Sequence, residues 1–320
     1  MNTPANGTRP AAIIVALTVA AAVPCTARNI GETAQLTTPL DASSGGNDLR
    51  FSISAGYQGL FETDIDGGGD FSVDRVGLEL NAQTEIAADW RLDLNLRYLF
   101  DDYDFSNAVK LGGDPWSDIT TLEMDARFQW WVNSDLAVIF GPFVMWSRES
   151  GASWNDAVTG GGFAGVLIRS GDNLAWGGGI GVSSQLEDSV LVYPVLFLDW
   201  TITDDMKLTS VAGPVGLAFT GLEFVWAFAE QYEAAAGFRY EFRRFRLDDT
   251  GVAPGGVGED SSFPMWVRLS YRFNDRISAD LYAGFVAGTS FELDNSRGRR
   301  LGSDDTDLAP TVAFTVRVNF

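Results

Sequence analysis

Histidine is absent from this 320-residue chain, and Cys25 is its only cysteine. Histidine is the side chain whose ordinary pKa suits proton transfer near neutral pH, so its absence disfavours most hydrolase and transferase chemistry. Asp, Glu, Lys or Tyr could still act as an acid or a base, but no Ser/His/Asp constellation can be assembled. We therefore predict that the chain is not an enzyme. If Cys25 is cleaved off with the N-terminal segment, the remaining chain has neither histidine nor cysteine, so a zinc site of the His/Cys type is excluded.

Positive charge is also scarce, with 22 Lys and Arg against 43 Asp and Glu and a formal net charge of -21. Nucleic acid is therefore excluded as a partner, because phosphate binding demands the opposite sign. The apolar run near the N-terminus is shorter than the roughly 18 residues that a transmembrane helix needs, and no other apolar run reaches that length. The chain therefore contains no candidate transmembrane helix.

That N-terminal segment has the features of an export signal. Arg9 precedes an apolar run from Ala11 to Val23, which has the length of a signal-peptide core. We predict a signal peptide over residues 1–27, cleaved after Ala27. In the alternative, Cys25 would be lipidated, although the residues before it do not resemble a lipobox. Residues 28–48 lack periodicity and are predicted to form a periplasmic leader.

From residue 49 onward, apolar and polar residues alternate with period two, and short breaks largely alternate with long, acidic, glycine-rich ones. This pattern is typical of periplasmic turns and extracellular loops. We predict an all-β fold: one antiparallel transmembrane β-barrel over residues 49–320, with about fourteen strands and with twelve or sixteen as alternatives. The expected strands are 50–60, 72–86, 90–101, 119–132, 136–147, 158–169, 174–184, 189–201, 206–213, 218–229, 233–247, 263–273, 277–290 and 309–320.

The last strand carries the most specific signal. It runs from Pro310 to Phe320 and ends the chain on an aromatic residue, with Val312, Phe314, Val316, Val318 and Phe320 on one face. This ending resembles the terminal strand of Gram-negative outer-membrane β-barrel proteins, and the generic resemblance extends over residues 49–320. It is similar to barrels of unknown function. The resemblance implies a location in the bacterial outer membrane and contact with its lipid and lipopolysaccharide. It also implies that the barrel-assembly machinery recognises Phe320.

Aromatic residues gather near the strand ends, as they do in interfacial girdles. On the opposite faces of the strands, charged residues of both signs are predicted to point into the lumen. The aromatic positions are Trp90, Trp130, Trp146, Trp200, Tyr271, Phe273 and Phe320. The candidate pore-lining residues are Arg91, Asp93, Arg97, Glu123, Asp125, Arg127, Arg239, Arg243, Arg268 and Arg272.

The first acidic loop resembles a calcium-binding loop, since Asp64, Asp66 and Asp70 supply carboxylate oxygens and the glycines between Asp66 and Asp70 permit a tight turn. It lacks the glutamate that ends an EF-hand loop. Acidic loops also keep an exposed rim soluble and bind divalent cations loosely. We therefore predict no cofactor, with loosely bound Ca²⁺ at the acidic loops as the alternative.

Two functions remain open. The polar lumen and the strand number favour a narrow passive channel for small polar solutes or ions. The alternative is a non-conducting barrel that serves as a scaffold, an adhesin or a surface-interaction module, with its lumen filled by salt bridges. Opposite charges that pair across the lumen would favour closure, and charges separated by a gap would favour transport. The sequence defines neither the solute nor the oligomeric state.

Overall fold

The computed structural model describes residues 49–210 and 218–320, and the predicted signal peptide and leader lie outside them. The described chain is almost entirely β-structure. It contains no helix long and apolar enough to cross a membrane. The strands are β1 (Arg50–Asp64), β2 (Asp70–Ala87), β3 (Trp90–Ser106), β4 (Asp118–Trp131), β5 (Leu136–Glu149), β6 (Val158–Ser170), β7 (Leu174–Gln185), β8 (Asp188–Thr203), β9 (Met206–Ser210), β10 (Ala218–Ala229), β11 (Tyr232–Arg246), β12 (Val257–Arg272), β13 (Ile277–Asp294), β14 (Arg300–Asp305) and β15 (Ala309–Asn319). Two short 3₁₀ turns cover Val109–Leu111 and Trp154–Asp156.

The sheet closes into a barrel of fourteen strands. Each strand from β1 to β13 pairs antiparallel with the next, β13 pairs with β15, and β15 pairs with β1. The fifteenth element, β14, pairs with β13 alone and extends one loop. The predicted all-β barrel of about fourteen strands is therefore confirmed.

The two rims of the barrel differ. One rim carries the short connections, the start of β1 and the end of β15; we call it the turn end, and it is periplasmic in outer-membrane barrels. The opposite rim carries the longer connections, and we call it the loop end. Along the wall, apolar side chains face outward and polar ones inward with period two, as the exposed Val76, Leu94 and Phe314 illustrate.

An aromatic girdle surrounds the turn end. The Trp90 and Trp130 rings stack with their centroids 5.7 Å apart, and the ring of Phe51 lies 6.0 Å from that of the terminal Phe320. Such a ring of aromatics beside an apolar outer surface is the arrangement of a barrel embedded in lipid. The predicted membrane location is confirmed.

At the loop end, several strands extend beyond their predicted limits. β3 continues to Ser106, and β12 already begins at Val257. The acidic stretch that follows Phe100 was predicted to be loop, but it still alternates. Tyr103 and Phe105 are buried inside the barrel, while Asp102 and Asp104 are exposed. These residues stay in the sheet because their inward side chains have an apolar layer to pack against.

Not every strand remains part of the barrel wall up to the loop end. The pairing of β11 with β10 ends at Glu241, and residues 242–246, which we call the strap, continue across the barrel mouth. Arg246 then pairs in parallel with Arg148 of β5, although five strands separate β5 from β11 around the wall. Among the described residues, the upper part of the barrel is therefore enclosed by β1–β5 and β11–β15.

This narrower upper part is filled by a buried apolar cluster, which we call the loop-end core. The loop between β3 and β4 lies inside it and contributes Ala108, Leu111 and Trp116. Lys110 of that loop donates to Asp304 on β14 at 2.8 Å, and this hydrogen bond raises the pKa of the lysine. The loop-end core consists of Leu60, Ile65, Phe71, Val73, Tyr103, Phe105, Ala108, Leu111, Trp116, Ile119, Phe245, Leu247, Ala253, Val286, Phe291, Leu293 and Ala309.

Candidate functional site

A layer of buried charges crosses the lumen just beneath the loop-end core. Arg75 on β2 pairs with Asp101 on β3, and its Nη1 lies 3.3 Å from Oε2 of Glu241 on β11. Arg243 donates to Asp101 at 2.9 Å and to Asp260 at 2.7 Å. Strands that are far apart around the wall thus meet through their side chains. Because these opposite charges pair across the lumen and leave no gap between them, the barrel axis is closed at this level.

The strap divides the upper lumen because its two faces have different neighbours. Phe245 packs into the loop-end core and Arg243 joins the charge layer, whereas Phe242 and Arg244 face the opposite side. On that side lies a cavity of about 310 Å³, bounded by β3 to β8. We call it the two-walled cavity. Its lining residues are Asn95, Arg97, Glu123, Asp125, Arg127, Phe143, Met145, Thr159, Phe163, Ser183, Ser184, Gln185, Leu191, Tyr193, Val195, Phe242 and Arg244.

One wall of the cavity is charged and belongs to β3 and β4. Arg97 donates to Glu123 at 3.0 Å. Arg127 donates to Oδ2 of Asp93 through Nε at 2.9 Å and through Nη2 at 2.5 Å. Asp125 accepts a hydrogen bond from Asn95 at 2.9 Å and has no basic group within 4.0 Å among the described residues. The charged wall is therefore internally paired except at Asp125.

The other wall is apolar and belongs to β5–β8, where Phe143, Phe163 and Tyr193 point inward. Inward glycines on β6 and β7 leave space for these rings and for Phe197. A Cβ built at Gly165 would lie 2.8 Å from the Phe197 ring, and one built at Gly181 would overlap the ring of Tyr193. The glycine-rich sequence of this sector thus lets aromatic side chains lie flat against the wall.

The structure separates the predicted pore-lining residues into three groups. Arg97, Glu123, Asp125 and Arg127 line the two-walled cavity, and Arg91 and Asp93 lie beside them, with Nε of Arg91 3.7 Å from Asp93.

Arg239 and Arg243 belong to the charge layer, where Arg239 pairs with Glu241. Arg268 and Arg272 lie on the opposite side of the lumen. The first is paired with Glu223 at 2.6 Å, and the second with Glu233 at 2.9 Å.

The apolar wall was not identified from the sequence. Its signal was the lack of a charged face in the strand at 136–147, where Phe143 and Met145 occupy inward positions that carry charge on β3 and β4. Only the closed barrel places this strand beside Tyr193 of β8.

At the predicted calcium loop, Asp64 and Asp70 lie opposite each other in the β1–β2 hairpin, and the amide of Asp66 donates to the carbonyl of Asp305 at 3.0 Å. In the part of the chain that the structure describes, no group of three or more carboxylate, histidine or cysteine side chains is placed to hold a metal ion.

No protein-family model matches the chain, and no curated protein matches it by sequence. Several solved structures share its architecture. An outer-membrane channel from Pseudomonas putida F1 has a TM-score of 0.46 at 9% identity, over 84% of this chain and 95% of that one. A FadL homologue from Pseudomonas aeruginosa has a TM-score of 0.44 at 12% identity, over 85% and 90%. The P. putida toluene transporter TodX has a TM-score of 0.41 at 11% identity, over 91% and 94%.

These likenesses are too distant to say anything about a solute. The class of the chain follows from its own features: a closed barrel of fourteen strands, an apolar outer surface and an aromatic girdle. The chain is an outer-membrane β-barrel protein.

Proposed function

We propose that the protein is a channel that admits small amphipathic solutes through the two-walled cavity. The observation that carries this proposal is the opposition of a charged wall on β3 and β4 to an apolar wall on β5–β8. Binding sites for small molecules combine apolar surface with a few placed polar groups. A solute with both a hydrocarbon body and a polar group matches the two walls together. A purely polar solute, as the sequence predicted, would leave the apolar wall without a partner.

The position of the cavity also supports a passage beside the barrel axis. The loop-end core and the charge layer occupy the axis, whereas the cavity lies on the other face of the strap. Its loop-end boundary consists of Ser184 and Gln185 from the β7–β8 hairpin and Arg244 from the strap. Solutes would enter between these elements.

The test compares two neighbouring tryptophan substitutions on β8. Leu191 faces the cavity, whereas Val192 faces outward and is exposed. We expect Leu191→Trp to fill the cavity and slow the uptake of benzenesulfonate or benzyltrimethylammonium into proteoliposomes by about tenfold or more, which corresponds to about 1.4 kcal/mol. Val192→Trp should transport like the parent protein. Equal uptake by the two variants would contradict the proposal.

The alternative is a non-conducting surface barrel, and the closed barrel axis favours it. Single-channel recording of folded protein in a planar bilayer separates the two functions. Discrete conductance steps support a channel, and their absence supports a scaffold. In either case we propose outer-membrane lipid and lipopolysaccharide as the surrounding partners, with Phe320 as the assembly signal.

A further inference from the structure

We propose that the two-walled cavity selects amphipathic cations, that is, solutes in which an ammonium group is attached to an aromatic or alkyl body. This inference rests on the proposed channel function and adds the sign of the solute's charge. It comes from three observations: the pairing of every arginine in the lining, the place of Asp125, and a buried hydroxyl group on the apolar wall.

The arginines of the cavity lining are all paired. The lining carries three guanidinium groups, those of Arg97, Arg127 and Arg244, and two carboxylates, those of Glu123 and Asp125. Each of the three arginines has an acidic neighbour within 4.0 Å, so none is left to attract an anion. Of the two carboxylates, only Glu123 is used in these pairs.

Asp125 is the carboxylate best placed to bind a cation. Its one hydrogen bond among the described residues comes from Asn95, and it lies directly opposite Phe143 in the β4–β5 register. Tyr193 of β8 lines the same cavity on the apolar wall. An ammonium group in this space would meet a carboxylate on one side and aromatic faces on the other, and both attract a cation.

Arg244 is the third basic group in the lining, and each of its three nitrogens already donates a hydrogen bond. It donates to the carbonyl of Leu186 at 2.8 Å, to Glu259 at 2.6 Å and to Asp294 at 2.7 Å. A guanidinium group held in this way offers little to an anionic solute. The charge preference of the cavity therefore follows the unpaired carboxylate.

Thr159 supplies the second polar group. Its side chain lies in the cavity lining on β6 and is 7% exposed, and its hydroxyl has no hydrogen-bond partner within residues 49–210 and 218–320. Buried polar groups are nearly always paired, so an unpaired one in a cavity lining points to a ligand that supplies the partner. The N–H groups of a primary or secondary ammonium in the cavity could donate to this hydroxyl oxygen, whereas a quaternary ammonium would use the carboxylate and the aromatic faces alone.

The experiment measures flux into proteoliposomes for three permanently charged probes that do not cross lipid unaided. Benzyltrimethylammonium is the amphipathic cation, benzenesulfonate the amphipathic anion, and tetramethylammonium a cation without a hydrocarbon ring. We expect the first to enter about tenfold faster than either of the others. Asp125→Asn should remove most of this preference.

The matched control is Asp280→Asn, which neutralises an inward carboxylate outside the cavity lining. It should leave the preference for the amphipathic cation unchanged. The heat-modified mobility of each variant in gels reports whether the barrel is folded, so a folding defect cannot be mistaken for a change in selectivity.

The outcomes separate this inference from the channel proposal. Benzenesulfonate entering as fast as benzyltrimethylammonium would overturn the charge preference and leave the channel intact. Tetramethylammonium entering equally fast would overturn the need for an apolar body. Failure of all three probes to enter would overturn the channel proposal itself.

Discussion

Arg148 of β5 and Arg246 of β11 pair in parallel across the mouth of an otherwise antiparallel barrel. The two like charges are directed to separate partners. Arg148 lies over the ring of Trp154, with 4.4 Å from its Cζ to the centroid, and Arg246 donates to Glu187 at 2.8 Å. The diameter of a barrel grows with its strand number. Because this contact leaves fewer strands around the upper lumen, the barrel is narrower there than at the turn end. The wide part holds the two-walled cavity, and the narrow part holds the loop-end core.

Trp116 is the central ring of that core. Its ring centroid lies 5.2 Å from that of Phe245, 5.3 Å from that of Phe105 and 5.7 Å from that of Phe291. We predict that Trp116→Ala lowers the free energy of unfolding by about 3–5 kcal/mol, because it leaves a cavity among these rings. The current in single-channel recordings should also become larger or fluctuate more. Trp176→Ala, which removes an exposed outward-facing ring, serves as the control. If both variants unfold alike, the loop-end core does not hold the mouth closed.

Asp101 joins two arginines of the charge layer. It is fully buried, and it accepts hydrogen bonds from Arg75 and, at 2.9 Å, from Arg243. We predict that Asp101→Asn costs about 3–5 kcal/mol, because removing one partner leaves buried charge uncompensated. Denaturant titration in detergent measures the loss. Asp280→Asn, in a less buried ion pair, should cost clearly less. Equal costs would argue against a special role for the charges that cross the lumen.

Glu259 lies on the loop-end extension of β12, beyond the membrane-spanning part. Burial, assisted by the charge of Glu292 directly opposite, raises its pKa to about 7 despite the hydrogen bond from Arg244. Asp294 and Arg300 complete the charged surroundings on β13 and β14. Since the folded state holds the proton up to a higher pH than the unfolded state does, this glutamate's contribution to stability falls as pH rises from 4.5 to about 7.

Glu259→Gln should therefore flatten the stability profile in that window. The measurement is thermal unfolding of both proteins between pH 5 and pH 8, with Asp188→Asn as an exposed control on the same rim. We expect the variant to gain stability relative to the parent protein at pH 8 and little at pH 5. A difference that does not change with pH would refute the assignment.

Phe320 closes the barrel seam. Its amide donates to the carbonyl of Phe51 at 2.8 Å, and its side chain is exposed on the outer face. We predict that deleting Phe320 reduces the fraction of assembled barrel in cells, measured by heat-modified mobility and surface accessibility. Phe314→Ala removes an outward ring from the same face of β15 and should reduce assembly less. A normal level of assembled barrel without Phe320 would show that the terminal position carries no special signal.

Much of the fold could be predicted because the alternation of apolar and polar residues within each strand identifies its outward and inward faces. The alternation of Leu94, Leu96 and Tyr98 with Asn95 and Arg97 identifies a strand whatever its neighbours are. The loop-end extension of β3 was missed because three aspartates in residues 101–106 hide the inward Tyr103 and Phe105. The candidate site was half predicted: the charged wall follows from the polar faces of β3 and β4, but an apolar inward face looks like any other apolar face.

The sequence by itself determined the period-two pattern, the approximate number of strands, the lipid-facing terminal strand and the presence of charges inside the barrel, since these depend on local alternation and turn chemistry. The tertiary structure alone decided which of those charges meet. The crossing of the strap from β11 to β5 joins Arg243 to Asp101, residues 142 positions apart, and leaves Asp125 facing an apolar wall. Distances between strands that are far apart in sequence depend on barrel closure and on the path of the strap, which no single strand encodes.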